Sequence, residues 1–417
     1  MKILVIGQGA RENALIWKLS QEIDKNSLYC APGNAGTIQL AQNIDIKESS
    51  HQQLLEFAQT NDIDMTIVGP EQPLVDGITD LFRQSGLNII GPEKKAAKLE
   101  GSKIYSKAFM DKYGIPTASY GVYSDANSAI ESLKAYTYPL VIKADGLAAG
   151  KGVLIVENEK DAISGILSLM VDCKFGDAGK DIIIEEFLEG TEASLLCLVD
   201  GKTILPLESA RDYKKALDGD EGLNTGGMGC FSPNPILQNE DIQREIKEKV
   251  LNPFQKGIES ENMDYRGIIF IGLMLTKKGL QVLEFNVRLG DPETEVVLPR
   301  LKTPLSTVFK AINDRSLDQI KLDWHLESSL CVMLTSGGYP EAYEKNKTIN
   351  ISQLSEETIL FHGGTKLSSG LVQTNGGRVM AVTTLGKTLE EARIKVYKEL
   401  DQINFEGKQY RSDIGKI

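Results

Sequence analysis

The segment Leu283-Glu284-Phe285-Asn286-Val287-Arg288 runs into Leu289-Gly290-Asp291-Pro292-Glu293-Thr294-Glu295. Read as a strand, it places successive side chains on opposite faces. Glu284, Asn286 and Arg288 then share one face, and Leu283, Phe285 and Val287 share the other, which is core. A carboxylate and an amide oxygen suit Mg²⁺, which completes its octahedron with water and substrate phosphates. An arginine one step further can fork onto a phosphate or a carboxylate. An amphipathic surface strand would show the same alternation. The Gly-Asp-Pro-Glu turn that follows, and a second motif far upstream, favour chemistry.

That second motif is Lys143-Ala144-Asp145-Gly146-Leu147-Ala148-Ala149-Gly150-Lys151-Gly152. Apolar runs flank it, Pro139-Leu140-Val141-Ile142 before and Val153-Leu154-Ile155-Val156 after, so it reads as a hairpin. Three glycines let backbone N–H groups approach an anion, and Lys143 and Lys151 supply charge. It is not a Walker loop: the G-x-x-x-x-G-K-[S/T] spacing is absent and a strand follows in place of a helix. Lys103 and Lys107 lie one helical turn apart, and one of them is expected to reach a nucleotide phosphate.

The elements that must position these groups divide the chain into three parts. Residues 1–100 alternate strand and helix, with apolar runs at Ile3–Ile6, Leu28–Ala31, Met65–Val68 and Leu87–Ile90 and helical patterns at Ala10–Leu19 and Val75–Arg83. Such alternation predicts a doubly wound parallel sheet, with ligand loops beyond the carboxyl ends of its strands. Gly7–Glu12, Pro32–Thr37 and Gly69-Pro70-Glu71 fall there. A dinucleotide reading of the first loop fails, because Glu12 stands at the third glycine of G-x-G-x-x-G and no acid closes the second strand. Residues 101–325 hold both motifs, with a lid subdomain expected over about 115–190. Within this part, the glycine-rich stretch Gly222–Gly229 could form a backbone anion nest. Residues 326–417 read as a small α/β domain, with strands at Leu330–Leu334 and Val379–Thr383 and a helix at Leu389–Leu400.

Bulk properties frame a soluble enzyme of α/β class. Of 417 residues, 41% are hydrophobic and 25% charged, ordinary for a globular protein. Lys plus Arg total 46 against 58 Asp plus Glu, a net charge of −12 that argues against nucleic-acid or anionic-membrane partners. Five scattered cysteines without C-x-x-C spacing fit a reducing, cytoplasmic setting. The start of the chain shows no signal region, and the longest apolar run, Ile268–Leu275, is too short to span a bilayer. The three histidines, His51, His325 and His362, read as structural.

Together the hairpin and the acid-and-Asn strand resemble the ATP-grasp superfamily. Asn224-Thr225-Gly226-Gly227-Met228-Gly229, Gly337-Gly338-Tyr339-Pro340, Asn375-Gly376-Gly377-Arg378-Val379, Pro32–Thr37, Gly69-Pro70-Glu71 and Tyr410–Gly415 narrow the match. They resemble the glycinamide ribonucleotide synthetases (phosphoribosylamine–glycine ligases). The likeness runs from residue 2 to residue 415.

The resemblance implies an ATP-dependent ligase of purine biosynthesis using Mg²⁺ or Mn²⁺, acting on small molecules as a monomer or weak homo-oligomer. It assigns the metal to Glu284 and Asn286, and the nucleotide to Lys103, Lys143, Gly150, Lys151 and Glu284. Adenine falls to Glu185, Glu186 and Leu188, and its ribose to Glu192. Phosphoribosylamine and glycine fall to Gly9, Arg11, Glu12, Gly33, Asn34, Gly69, Pro70, Glu71, Lys214 and the loop Asn224–Gly227. Lys366, Gly377 and Arg378 are placed near the ribose phosphate. Arg288, Asp212 and Lys143 are the expected catalytic groups, Asp212 meeting the glycine ammonium. Another carboxylate–amine ligase of the same superfamily, or a nucleotide-binding protein without turnover, would share the nucleotide motifs. The sequence departs from the family at Ala10, Asn13, Tyr213 and Glu295, and these changes are expected to touch the amine and glycine sites, Glu295 meeting a cation or facing solvent.

Overall fold

The computed structural model describes residues 1–148, 152–174 and 176–416. Ile3–Gly7, Leu28–Pro32, Met65–Val68 and Ile89–Pro92 are strands of one parallel sheet, with Ile3 level with both Leu28 and Met65 and Thr66 level with Ile89. Both faces are covered: Leu4 and Ile6 point into one core, Ile3 and Val5 into another. This is the doubly wound arrangement expected for apolar runs between helices. The helix Ala10–Leu19 has its expected bounds. The pattern over Val75–Arg83 instead forms two helices, Glu71–Asp76 and Ile78–Gln84, broken at Gly77, whose φ of +99° favours glycine.

The parallel sheet does not stop at its fourth strand. Ile89–Pro92 pairs antiparallel with the start of the long strand Tyr265–Thr276, at Pro92–Tyr265 and Gly91–Arg266. That strand then pairs with Gly190–Val199 on one side and Gly279–Asn286 on the other. A single nine-stranded sheet results, parallel in its first part and antiparallel in its second. Gly267 allows the join: a Cβ there would lie 3.1 Å from the Gly91 Cα.

Above this sheet stands a four-stranded antiparallel sheet, Tyr120–Tyr123, Ile182–Glu186, Leu140–Ala144 and Val153–Val156, with its own core around Leu140, Ile142, Ile166 and Ile184. The hairpin predicted around Lys143 is the pair Leu140–Ala144 and Val153–Val156. A third, five-stranded sheet contains Ser328–Thr335, Ile359–His362 and Arg378–Gly386, packed on the helix Leu389–Leu400. It also takes in Arg211–Asp212 and Gly229–Ser232 from the middle of the chain. No helix among the described residues is long and apolar enough to cross a membrane.

The first and last parts touch directly. Asn34 Nδ2 donates to the carbonyls of Gln8, Gly9 and His362 (2.6 Å to His362), while its Oδ1 accepts from Gly36 N and Thr37 N. Asn13 Oδ1 accepts from His362 N at 2.7 Å, and Trp17 meets Phe361 edge-on at 5.6 Å. Replacing Asn34 by Ala leaves several buried polar groups unpaired, each costing about 1–3 kcal/mol. Asn34→Ala should therefore lower the unfolding temperature clearly, read by calorimetry. An unchanged melt would show that the interdomain bonds carry no stability.

Candidate active site

Glu284 reaches the site because of an irregularity. Across Tyr265–Thr276, Val282 pairs with Leu273 and Glu284 with Gly272, so Leu283 is an extra residue. Such a bulge switches the facing of the strand beyond it. Leu280 and Val282 are buried before it, and Phe285 and Val287 after it. Leu283 is therefore not on the core face, as simple alternation predicts; it lines the cavity, and its carbonyl faces Lys143 Nζ at 3.5 Å. Glu284 and Asn286 line the same cavity, which measures about 950 Å³.

Opposing cations hold Glu284 ionised. Burial works to raise its carboxyl, but Lys214, Lys143 and Lys103 outweigh it and hold it below the usual range. Across the cavity, Lys143 Nζ lies 2.8 Å from Glu185 Oε2 and Lys107 Nζ lies 3.2 Å from Glu185 Oε1. Two lysines thus share one buried carboxylate, leaving a spare positive charge. Lys107 also donates to Thr117 Oγ1 (2.7 Å), whose hydroxyl donates to the Val282 carbonyl (2.7 Å), tying the segment expected to form a lid to the strand that bears Glu284. Burial pulls the Lys107 ammonium down to about 8, with Glu185 opposing.

Arg288 is held by two carboxylates, Glu71 (3.1 Å) and Glu100 (2.9 Å), and also approaches Asn286 Oδ1 at 3.4 Å. Glu100 accepts Val287 N as well, at 2.7 Å; burial pushes its carboxyl up to about 7 against the pull of Arg288. Lys214 pairs with Glu192 at 3.1 Å. Asp212 Oδ1 is buried without a hydrogen-bond partner among the described residues. Burial, with Glu293 adding to it, raises the Asp212 carboxyl well above the usual range, against Lys214 and Arg378. Arg378 donates to the carbonyl oxygens of Gly226 and Asp291, and its guanidinium lies 3.0 Å from Asp291 Oδ1.

The structure gathers most of the predicted residues around this one cavity. Arg11, Pro70, Glu71 and Lys103 line its first side, and Glu185, Glu186, Leu188 and Glu192 its lid side. Asp212, Lys214, Asn224, Thr225, Gly226 and Arg378 complete the wall. Gly9, Glu12, Gly33, Asn34, Gly69, Gly227, Lys366 and Gly377 are not part of the lining. Glu12 is occupied within its own loop: Oε2 accepts Gly9 N and Oε1 accepts Arg11 Nε, both at 2.6 Å, and a Cβ on Gly69 would sit 2.0 Å from it. The expected anion nest at Gly222–Gly229 has amides already used: Gly226 N donates to Tyr339, Gly227 N to Thr225 Oγ1 and Met228 N to the Tyr213 carbonyl. Gly150 and Lys151 lie outside the described residues.

Sequence reasoning passed over Glu100 and left Lys107 unassigned. Glu100 had a signal, since it falls on the same stripe of the helix Lys94–Gly101 as the buried Ala96 and Ala97. Lys107 had only its spacing from Lys103.

Sequence models of the phosphoribosylglycinamide synthetase N domain, ATP-grasp (A) domain and C domain match residues 1–100, 101–294 and 329–417. The chain belongs to the phosphoribosylglycinamide synthetase family. It is 47% identical over 419 residues to a phosphoribosylamine–glycine ligase of Clostridium acetobutylicum, covering 100% of both chains. The crystal structure of a phosphoribosylamine–glycine ligase from Thermotoga maritima superposes with a TM-score of 0.85 at 36% identity, covering 99% of this chain and 100% of that one. The biotin carboxylase domain of a Hydrogenobacter thermophilus 2-oxoglutarate carboxylase shares the fold alone, with a TM-score of 0.74 at 16% identity, over 98% of this chain and 91% of that one.

Of the four departures from the family, Tyr213 lines the cavity beside Asp212 and Lys214, whereas Ala10, Asn13 and Glu295 do not. Ala10 and Asn13 are buried where the first and last parts meet, and Tyr213 is buried in the core of the five-stranded sheet. Glu295 neither faces solvent nor pairs with a cation: it is 0% exposed, and neither carboxylate oxygen has a hydrogen-bond partner among the described residues. Burial, reinforced by Asp291, raises its carboxyl well above the usual range, with Arg378 opposing. Its surroundings favour the protonated carboxyl over the carboxylate.

The folded state keeps this proton above pH 4.5, the group's ordinary value, where the unfolded chain releases it. The penalty grows by up to about 1.4 kcal/mol per pH unit until Glu295 ionises in the folded protein. Glu295→Gln should then melt higher than the parent at pH 8, and the two curves should converge toward pH 5. Parallel melting profiles would mean that Glu295 titrates normally.

Proposed function

We propose that the chain uses ATP to phosphorylate the carboxylate of glycine and passes the glycyl group to the amine of 5-phosphoribosylamine, giving glycinamide ribonucleotide, ADP and phosphate. The observation that carries this reading is one cavity with an acid-and-amide strand on one wall and a lysine pair with excess charge on the other, in a chain matched along its length by this family. A carboxylate oxygen is a poor leaving group; phosphorylation makes it a good one. The amine then attacks the carbonyl carbon, its nitrogen–carbon bond forms, and phosphate leaves with the oxygen it was bonded to.

Glu284 and Asn286 fit a divalent cation. Both are oxygen donors facing the cavity, Glu284 is held ionised, and no cluster of three or more acidic or soft ligands stands among the described residues to favour another metal. When bound, Mg²⁺ or Mn²⁺ would supply charge neutralisation on the phosphates. Lys143, Lys107 and Lys103 would meet those phosphates from the other side, joined by Gly150 and Lys151. Glu186 and Leu188 would border the adenine and Glu192 the ribose, releasing Lys214 toward the reacting groups. Arg288 would exchange Glu71 or Glu100 for the glycine carboxylate or the transferring phosphoryl group. The unpartnered Asp212 oxygen would meet the glycine ammonium, whose charge would draw its carboxyl, raised by burial, back toward ionisation. Arg11 and Glu71 are the acceptor-side groups that reach the cavity, with Glu12 and Asn34 supporting their loops from behind.

The five cysteines are free and four of them buried, which supports a reducing compartment such as the cytoplasm.

Incubation with ATP, glycine and freshly generated phosphoribosylamine should yield glycinamide ribonucleotide; product only with another amine, or ATP binding alone, would replace this reading. Glu284→Gln should cut turnover by about a hundredfold or more, the scale expected for losing a metal's charge stabilisation, without lowering the unfolding temperature. Near-parent turnover would remove the metal assignment.

A further inference from the structure

Lys214, Asn224 and Thr225 stand at the base of a hairpin formed by Lys215–Leu217 and Glu221–Asn224. These strands pair only with each other, and an isolated two-stranded hairpin is marginal in water. Its turn, Asp218–Asp220, is exposed, with Gly219 and Asp220 at φ of +73° and +57°. Something else must hold it against the cavity.

The segment Arg411–Lys416, nearly two hundred residues further along the chain, does so. Arg411 is 1% exposed. Its Nη1 donates to the Lys215 carbonyl at 3.0 Å and to Asp220 Oδ1 at 2.9 Å. Its Nε and Nη2 fork onto both oxygens of Asp413, at 2.8 and 2.7 Å. Asp413 Oδ2 in turn accepts Gly219 N at 2.8 Å, and Ser412 donates its N–H (2.8 Å) and its hydroxyl to Asp218. The Arg411 guanidinium lies 5.1 Å from the ring of Tyr213, the residue between Asp212 and Lys214, and Gly415 N donates to the Tyr213 hydroxyl at 3.2 Å. Bidentate arginine–carboxylate pairs fix geometry as well as charge. The hairpin turn and Lys215, the residue after Lys214, are thus both referenced to one buried guanidinium.

We infer that Arg411, Ser412 and Asp413 are positioning residues for the substrate side of the cavity: they set the placement of Lys214, Asn224 and Thr225 and thereby the affinity for glycine and the phosphorylated amine, more than the affinity for ATP, which Lys214 touches only through Glu192 and Glu284. The inference rests on the proposed function and on the substrate-side placement that the family resemblance implies for those three residues. None of Arg411, Ser412 and Asp413 lines the cavity, whereas Tyr213, Lys215 and Asp220 do, so an effect on substrate use must travel through the hairpin and Tyr213.

The test is a steady-state comparison of the full chain with Asp413→Ala, Asp413→Asn and Asp218→Ala. Asp413→Ala removes the arginine's fork and the acceptor for Gly219 N. Asp413→Asn keeps an acceptor but loses the charge. Asp218 is exposed and outside the cavity lining, so Asp218→Ala keeps the question open to test if the Asp413 variants fail to fold. The expected result is a KM for glycine or phosphoribosylamine raised roughly tenfold in Asp413→Ala, less in the other two, with a clearly smaller rise in KM for ATP and kcat near the parent value. A purely structural role would lower the active fraction, and so apparent kcat, with every KM unchanged. That outcome, or an equal rise in KM for ATP, would overturn the inference. A parent enzyme that makes no product would instead overturn the proposed function.

Discussion

The pairing of Tyr265–Thr276 with three other strands is the constraint on which the rest depends. Its first two residues complete the parallel sheet, and its remainder founds the antiparallel one. Because both sheets share this strand, the loops at the ends of the first four strands and the strand bearing Glu284 stand at a fixed separation. That is why Glu71 and Glu100, from the first part of the sequence, can close on Arg288 from the second. A one-residue slip of Gly279–Asn286 against it would turn Glu284 into the core and Phe285 into the cavity. The bulge at Leu283 pins the register at which this does not happen.

Charge in the cavity follows one rule. Arg288, Lys143, Lys107, Lys214 and Arg378 each have a carboxylate partner. An unpaired buried charge is costly, whereas a paired one can exchange its partner at little net change. The cavity's cations are therefore largely neutralised by carboxylates already present, with the lysine pair at Glu185 keeping the excess charge. This reconciles phosphate chemistry with a chain of net charge −12.

Much of this was legible in the amino-acid sequence, and what was not has physical reasons. Local periodicity carries the strands of the first part, the helices Ala10–Leu19 and Leu389–Leu400, and the hairpin at Lys143, because each is decided by neighbours in sequence. The bulge at Leu283 is set by the opposite strand, so alternation alone put Leu283 on the wrong face. The break at Gly77 is a single left-handed residue inside an unbroken helical pattern. Glu295 illustrates the deepest limit. A carboxylate beside two others reads as solvated or cation-bound until its burial is known, and burial there is imposed by strands from the last third of the chain. Glu284, Asn286, Arg288 and Lys143, which face the cavity, could be named from motif spacing, and others such as Glu185 and Glu192 only through the family resemblance; which of them face one another could not, since Lys107, Glu185 and Thr117 come from separate parts of the chain.

The junction at Gly91–Pro92 also bears on how the chain is made. A ribosome delivers the first four strands well before Tyr265, and domains emerging first generally begin folding first. During that interval the edge of Ile89–Pro92 has no neighbour, and open strand edges template association between chains. The bonds from Asn34 and Asn13 to His362 wait longer still, and the hairpin at Lys215–Asn224 stays unanchored until Arg411 has been added. Completion of the nascent protein is thus a late, concerted event that runs from the far end of the sequence back toward its beginning, so a truncated message would yield a chain whose parallel sheet is formed and whose substrate wall is not.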